Sequence, residues 1–247
     1  MKSEFDLCSS VFICGLFLIL KSFIMHVCLF DIDGTLITSG GAGKAALEAA
    51  LLSEFGVNHG MEKVELSGRT DRAIIRDLFH FHDLEETPAA RERLLNSYLA
   101  HLPVCLARLQ GRILPGIAAF LDHLSERDEI AVGLLTGNVR AGARLKLGHY
   151  GLMHHFPFGG FGDHYHDRDE VAQEALRDIQ SRFDGTVSPD RIWVIGDTPL
   201  DVQCARSIGA RCAAVATGWH SLEELTACSP DVALPDLSNP EPLLAMW

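Results

Sequence analysis

From Met25 onward the chain alternates short β-rich runs with amphipathic stretches, and few folds accommodate that pattern. The runs at 27–31, 130–135, 156–160, 191–195 and 211–216, with a short one near Val232, each have about the length of a buried strand. Most lead into a helical pattern, the signature of an α/β domain whose strands are mostly parallel. Between about Thr38 and Gly111 the alternation stops, and only helical patterns occur: Ala42–Phe55, Asp71–Phe81 and Pro88–Leu109. Thr70 is placed to cap the second, and Thr87-Pro88 is a start signal for the third. The expected architecture is a Rossmann-like, mostly parallel sheet core with an inserted all-helical cap domain. Its core comprises 25–37 and 112–247, and its cap 38–111. Such an insert belongs over the carboxyl ends of the strands, where open α/β sheets place their ligands.

Residues 1–24 do not fit this scheme. Val11–Leu20 is an unbroken apolar run of ten residues, too short to span a bilayer. Glu4 and Asp6 dilute the positive region a signal peptide needs, and no small-residue cleavage site follows. The segment is therefore expected to be an extension outside the fold, with Met25 as the natural start and a membrane-associated N-terminus as the minority reading. The seven cysteines are scattered, odd in number and without a CxxC pair, which argues against a disulfide framework or a zinc site and fits a reducing cytoplasm. A formal net charge of −12 repels polyanions, so nucleic acid is not an expected partner. A small anionic ligand would need a local pocket of positive charge.

Three elements carry chemistry, each at the end of an expected strand. The first is Asp31-Ile32-Asp33-Gly34-Thr35. Strand periodicity puts Asp31 and Asp33 on one side, and two carboxylates that close need a cation or a shared proton. Alone the segment also reads as a turn. The second is Thr136-Gly137-Asn138, whose hydroxyl and backbone N–H groups suit phosphate oxygens, although Asn138 could simply cap a helix. The third is Gly196-Asp197-Thr198-Pro199-Leu200-Asp201. There Asp201 falls where a capping box would place an acid, a reading that leaves Asp197 unexplained. Carboxylates converging on Asp31 indicate a hard cation, and magnesium suits this inventory because it takes few protein carboxylates and bridges to phosphate.

In this order and at these strand ends, the three elements resemble those of the haloacid dehalogenase superfamily of aspartyl-nucleophile phosphatases, over about Met25 to Leu234. The resemblance implies a Mg²⁺-dependent phosphomonoester hydrolase working through an aspartyl-phosphate. It assigns the nucleophile to Asp31, the general acid/base to Asp33, phosphate binding to Thr136, and metal ligation to Asp31, Asp197 and Asp201 with the Asp33 carbonyl. The neighbouring Gly137 and Asn138 would then meet substrate. The family also uses a Lys or Arg between the second and last motifs, for which Arg140, Arg144, Lys146 and Arg168 are candidates here. Arg168 is favoured because it opens a helix after the Gly159–Asp163 loop, as in relatives with a GGFGxD-like loop; Lys146 is expected on the flank of its helix. Gly68-Arg69-Thr70-Asp71 is similar to the cap loop of phosphoglycolate phosphatase-like members. Arg69 would there face an anionic tail of a small phosphorylated, phosphoglycolate-like metabolite, unless it is an ordinary solvent-facing arginine after a capped turn.

Other signals are set aside. Gly40–Ala45 lacks the first Gly and the Ser/Thr of a P-loop, and Asp163–Asp167 reads as a rim loop rather than a metal site. Within the resembled superfamily, Asp33 counts against a dehalogenase, and no cap lysine matches a phosphonatase. A sugar phosphomutase of the β-phosphoglucomutase type keeps the core residues but usually has Gly where this chain has Asp201. A non-catalytic binding role leaves the full set of chemical groups without a purpose.

Overall fold

The computed structural model describes residues 25–247; the expectations for residues 1–24 lie outside them. Six parallel strands form the central sheet: β1 (His26–Phe30), β4 (Ile130–Leu135), β5 (Gly159–Gly160), β6 (Ile192–Gly196), β7 (Arg211–Val215) and β8 (Val232–Leu234). Their order is β5-β4-β1-β6-β7-β8. The chain builds outward from β1 first on one side and then on the other, so the crevice beyond the end of β1 is the point where the order reverses, the usual ligand position in such sheets.

The alternation of side chains explains why β1 and β6 are apolar at nearly every position. Cys28, Phe30, Trp193 and Ile195 enter one core layer, whereas Val27, Leu29, Ile192 and Val194 enter the layer on the opposite face. Both faces are thus covered, as a parallel sheet requires. Helices α4 (Ile117–Ser125) and α5 (Arg140–His149) lie on the first face, and α6 (Arg168–Arg182), α7 (Pro199–Ser207) and α8 (Leu222–Ala227) on the second, with a short α9 (Glu241–Leu244) closing the chain.

Helices α1 (Ala42–Phe55), α2 (Asp71–Phe81) and α3 (Pro88–Arg108) form a third apolar cluster of their own. Thr70 and Thr87 cap the second and third, their side chains accepting from Ala73 N and Ala90 N at 3.1 Å each. The helical segment leaves and rejoins the sheet domain through an antiparallel ribbon of β2 (Ile37–Thr38) and β3 (Arg112–Ile113), which pairs Ile37 with Ile113. Two-residue strands carry no periodicity, so the pattern alone gave no sign of them. The expected strand at 156–160 is reduced to Gly159–Gly160. Pro157 has no N–H for a ladder, and Phe156 and Phe158 instead fill opposite core layers.

Candidate active site

Asp31 leaves the end of β1 with its N–H donating to Ile195 O at 3.0 Å, which fixes it beside the end of β6. The chain then turns through Gly34 at φ +86°, where a Cβ would collide with Asp197 Oδ2; only glycine fits. Thr35 Oγ1 donates to Asp197 Oδ1 at 3.0 Å, tying the first motif to the third. Asp31, Asp197 and Asp201 are all buried, each offering an oxygen within 4.8 Å of those of the others.

Asp201 does two things at once. Its Oδ2 accepts from Thr198 N at 3.0 Å and from Thr198 Oγ1 at 2.8 Å, so the capping contact at the start of α7 is real. Its Oδ1 accepts from Arg168 Nη2 at 2.5 Å. Arg168 opens α6, is buried, and also donates from Nη1 to Gly68 O at 3.0 Å. The same Nη2 lies 3.2 Å from Asp31 Oδ1, yet that oxygen has no hydrogen-bond partner among the described residues.

Burial pushes the Asp31 carboxyl up to about 6, against the pull of Arg168 and with the push of Asp201 and Asp33. Burial likewise raises Asp197 well above the usual range, with Asp201 and Asp31 adding to it. Burial works against the Arg168 charge, but the carboxylates of Asp201 and Asp31 outweigh it and hold the guanidinium protonated. Among the described residues this buried trio of acids has one oxygen without a hydrogen-bond partner and a single cation, Arg168, beside it, and is short of positive charge. A divalent cation fits that deficit, and the all-oxygen donors suit magnesium.

The second motif lies on the other flank. Thr136 is fully buried, and its Oγ1 accepts from Asn138 Nδ2 at 2.8 Å. Asn138 Nδ2 also reaches Asp33 Oδ2 at 3.0 Å, and its Oδ1 accepts from Lys146 Nζ at 2.6 Å. Asn138 does not cap α5. Val139 occupies that position, its N–H donating to Asp71 Oδ2 at 2.8 Å, while Arg140 N donates to Asp163 Oδ2 at 2.9 Å. A Cβ on Gly137 would collide with Arg69 O, so the helical segment docks directly on this loop.

Lys146 departs from the expectation that it lies on the helix flank. It is only 4% exposed, and Nζ donates to Asp33 Oδ2 at 2.5 Å. Burial opposes its charge, but Asp33, Tyr98 and Asp71 together overcome that and strengthen it. Its neighbours on the buried stripe of α5 are Gly142, Ala143 and Leu147. Asp71 is likewise more than part of a turn: burial pushes it up to about 6, partly offset by Lys146 and the Val139 N–H. Arg69 is engaged with Asp77, Nη2 to Oδ2 at 2.7 Å.

Asp31, Asp33, Gly137, Asn138, Lys146, Arg168 and Asp197, with Arg69 and Asp71 of the helical segment, line one cavity of about 470 Å³ between that segment and the carboxyl ends of the strands, whereas Thr136 and Asp201 are fully buried behind it. Comparison with known proteins agrees with the geometry. The model of the haloacid dehalogenase-like hydrolase family matches residues 28–206, and the chain belongs to that family. It is 29% identical over 209 residues to the phosphoglycolate phosphatase of Synechococcus elongatus, covering 84% of this chain and 91% of that protein. It is 25% identical over 218 residues to phosphoglycolate phosphatase 1 of Pseudomonas aeruginosa, covering 85% and 76%. Among solved structures, a predicted phosphoglycolate phosphatase from Haemophilus somnus shares the fold with a TM-score of 0.71 at 17% identity, covering 90% of this chain and 99% of that one. Family and relatives together support a phosphatase. Among the described residues no helix is long and apolar enough to cross a membrane.

Proposed function

We propose that the chain is a Mg²⁺-dependent phosphomonoester hydrolase that acts on a small phosphorylated metabolite through an aspartyl-phosphate on Asp31. The observation that carries this reading is the Asp31 oxygen that has Arg168 at 3.2 Å but no hydrogen-bond partner among the described residues, inside a buried cluster of three acids. Asp31, Asp197 and Asp201, with the Asp33 carbonyl, would hold the magnesium ion. When bound, it supplies charge neutralisation for the acids and for phosphate oxygens.

Asp31 attacks phosphorus and forms the acyl-phosphate, splitting one hard step into two easier ones. Asp33 is about 40% exposed in its side chain and reaches into the cavity. It gives a proton to the leaving alkoxide, then takes one from the water that cleaves the intermediate. Arg168 and Thr136, with Gly137 and Asn138, bind the transferring phosphoryl oxygens, the principal electrostatic task in this chemistry. Lys146 and Asn138 orient Asp33. The helical segment 38–111 acts as a cap over the site, and its side chains select the organic group. The five described cysteines are all unpaired, which supports a reducing cytoplasm as its location.

The test is phosphate release from p-nitrophenyl phosphate. Release should require Mg²⁺ and disappear in Asp31→Asn; activity persisting in EDTA or in that variant refutes the mechanism. Asp201 favours hydrolysis over a sugar phosphomutase, since such mutases usually have Gly there. Interconversion of glucose phosphates without net phosphate release would reverse that preference.

A further inference from the structure

Part of the cap-side cavity wall is aliphatic, beside polar groups that include Lys44, Arg69 and Asp71. Leu47, Met61, Leu66, Ile74 and Ile75 line it, and all but Leu66 are buried. At its mouth, in the turn after β7, Trp219 lines the same cavity while 90% exposed. An indole so far out of the core makes almost no contact that would stabilise the fold, and a large exposed apolar surface beside a cavity marks a contact for something else.

Every cation among the described residues lining this cavity already has a counter-charge close by. Arg69 is held by Asp77, Lys146 by Asp33, and Arg168 by Asp201 with Asp31 nearby. The last, Lys44, stands near solvent with its side chain 45% exposed and Glu48 at 3.9 Å. A carboxylate on the substrate's organic group would enter this enclosure beside its aliphatic side chains, and would have to draw Arg69 from Asp77 or Lys44 from Glu48 to offset its desolvation. An uncharged apolar group would gain from the same enclosure by burying its surface.

Resting on the phosphomonoesterase reading above, we propose that the preferred substrate carries an uncharged, apolar and planar organic group, packed under the cap's aliphatic side chains and against the Trp219 indole. Trp219 is then a specificity residue for the leaving group. A dianionic head with a carboxylate tail, as in phosphoglycolate, is a poorer fit.

Benzyl phosphate and phosphoglycolate test this, since both release a primary alkoxide and differ mainly in the group beyond it. The kcat/KM for benzyl phosphate should exceed the values for phosphoglycolate and glucose 6-phosphate by at least tenfold. Benzylphosphonate should compete at least tenfold more tightly than 3-phosphonopropionate. Trp219→Ala should raise KM for benzyl phosphate severalfold, leave kcat within about twofold, and leave phosphoglycolate kinetics unchanged. An enzyme that hydrolyses p-nitrophenyl phosphate yet prefers phosphoglycolate or glucose 6-phosphate overturns this inference alone. The same holds if Trp219→Ala changes nothing. Failure to hydrolyse p-nitrophenyl phosphate at all would instead overturn the underlying reading together with it.

Discussion

Lys146 Nζ sits 2.5 Å from Asp33 Oδ2, so each of the two acids of the DxD segment faces its own buried cation: Asp33 has Lys146, and Asp31 has Arg168 at 3.2 Å. The two cations come from different helices, α5 and α6, which lie on opposite faces of the sheet. In the mechanism proposed above, that separation divides the work: Arg168 stands by the nucleophile, and Lys146 by the residue that handles protons.

Lys146→Met should therefore lower kcat without destroying the fold. General acid–base groups contribute about 10²- to 10⁴-fold, and misorienting one forfeits part of that, so a loss of about tenfold or more is expected. Steady-state kinetics on p-nitrophenyl phosphate, with circular dichroism to check folding, measures it. Wild-type kcat in the variant would remove Lys146 from the chemistry.

Arg168→Met should be more severe. It strips the cation from Asp201 and Asp31 in a buried setting, and breaking such a pair from one side costs about 3–5 kcal/mol. Urea denaturation in EDTA should show a loss of that order, together with loss of activity. Part of the lost stability should return on adding Mg²⁺, because the remaining acids still need positive charge. A variant as stable as wild type in EDTA contradicts the burial and pairing described above.

Mg²⁺ should stabilise the wild-type protein on its own. At a concentration about 100 times its Kd, a ligand bound only by the folded state adds about 2.7 kcal/mol. A thermal melt with and without Mg²⁺ should show the shift in wild type and little of it in Asp197→Asn. Since burial and neighbouring acids raise Asp197, metal binding must displace protons, and the shift should shrink as pH falls. An equal shift in both proteins would place the ion elsewhere.

Asp71, which is not among the proposed metal ligands, gives a pH dependence of its own. Burial pushes it up to about 6 in the folded state, above its ordinary 3.8. For an acid raised on folding, the folded state binds the proton more tightly than the unfolded one. Stability from this group is therefore greatest at low pH and is lost as pH rises from about 4 through about 6. Asp71→Asn keeps an acceptor for Val139 N–H but removes the titration. The melting temperature of wild type relative to Asp71→Asn should accordingly be higher at pH 5 than at pH 7.5. A difference independent of pH would show that Asp71 remains ionised at both.

Much of the site was legible because its residues lie at the ends of strands and the starts of helices. Asp31, Thr136 and Asp197 each follow an apolar run that ends abruptly, and the Thr198-Pro199 start signal locates Asp201. The basic residues were harder. A lysine between Leu145 and Leu147 on a helix ordinarily carries its charge to solvent along an apolar stem, so its flank assignment followed from local pattern. What reverses it is the convergence of Asp33, Tyr98 and Asp71, which are distant in the chain. Arg69 is similar: its partner Asp77 lies about two helical turns along α2, and only the direction in which the turn exits brings them together.

The sequence by itself determined the sheet's layered core and the inventory of acids, because strand periodicity and helix starts are set by neighbours a few residues apart. The tertiary structure alone decided which cation meets which carboxylate, and which aliphatic side chains of the helical segment reach the cavity. The pairings follow from the packing of the sheet domain, which brings Lys146 to Asp33 and Arg168 to Asp31 and Asp201; the cavity wall follows from how the helical segment docks on the loop at Gly137, where Arg69 O leaves no room for a side chain. Charge compensation acts between groups brought close by that packing, and spacing along the chain carries no record of it.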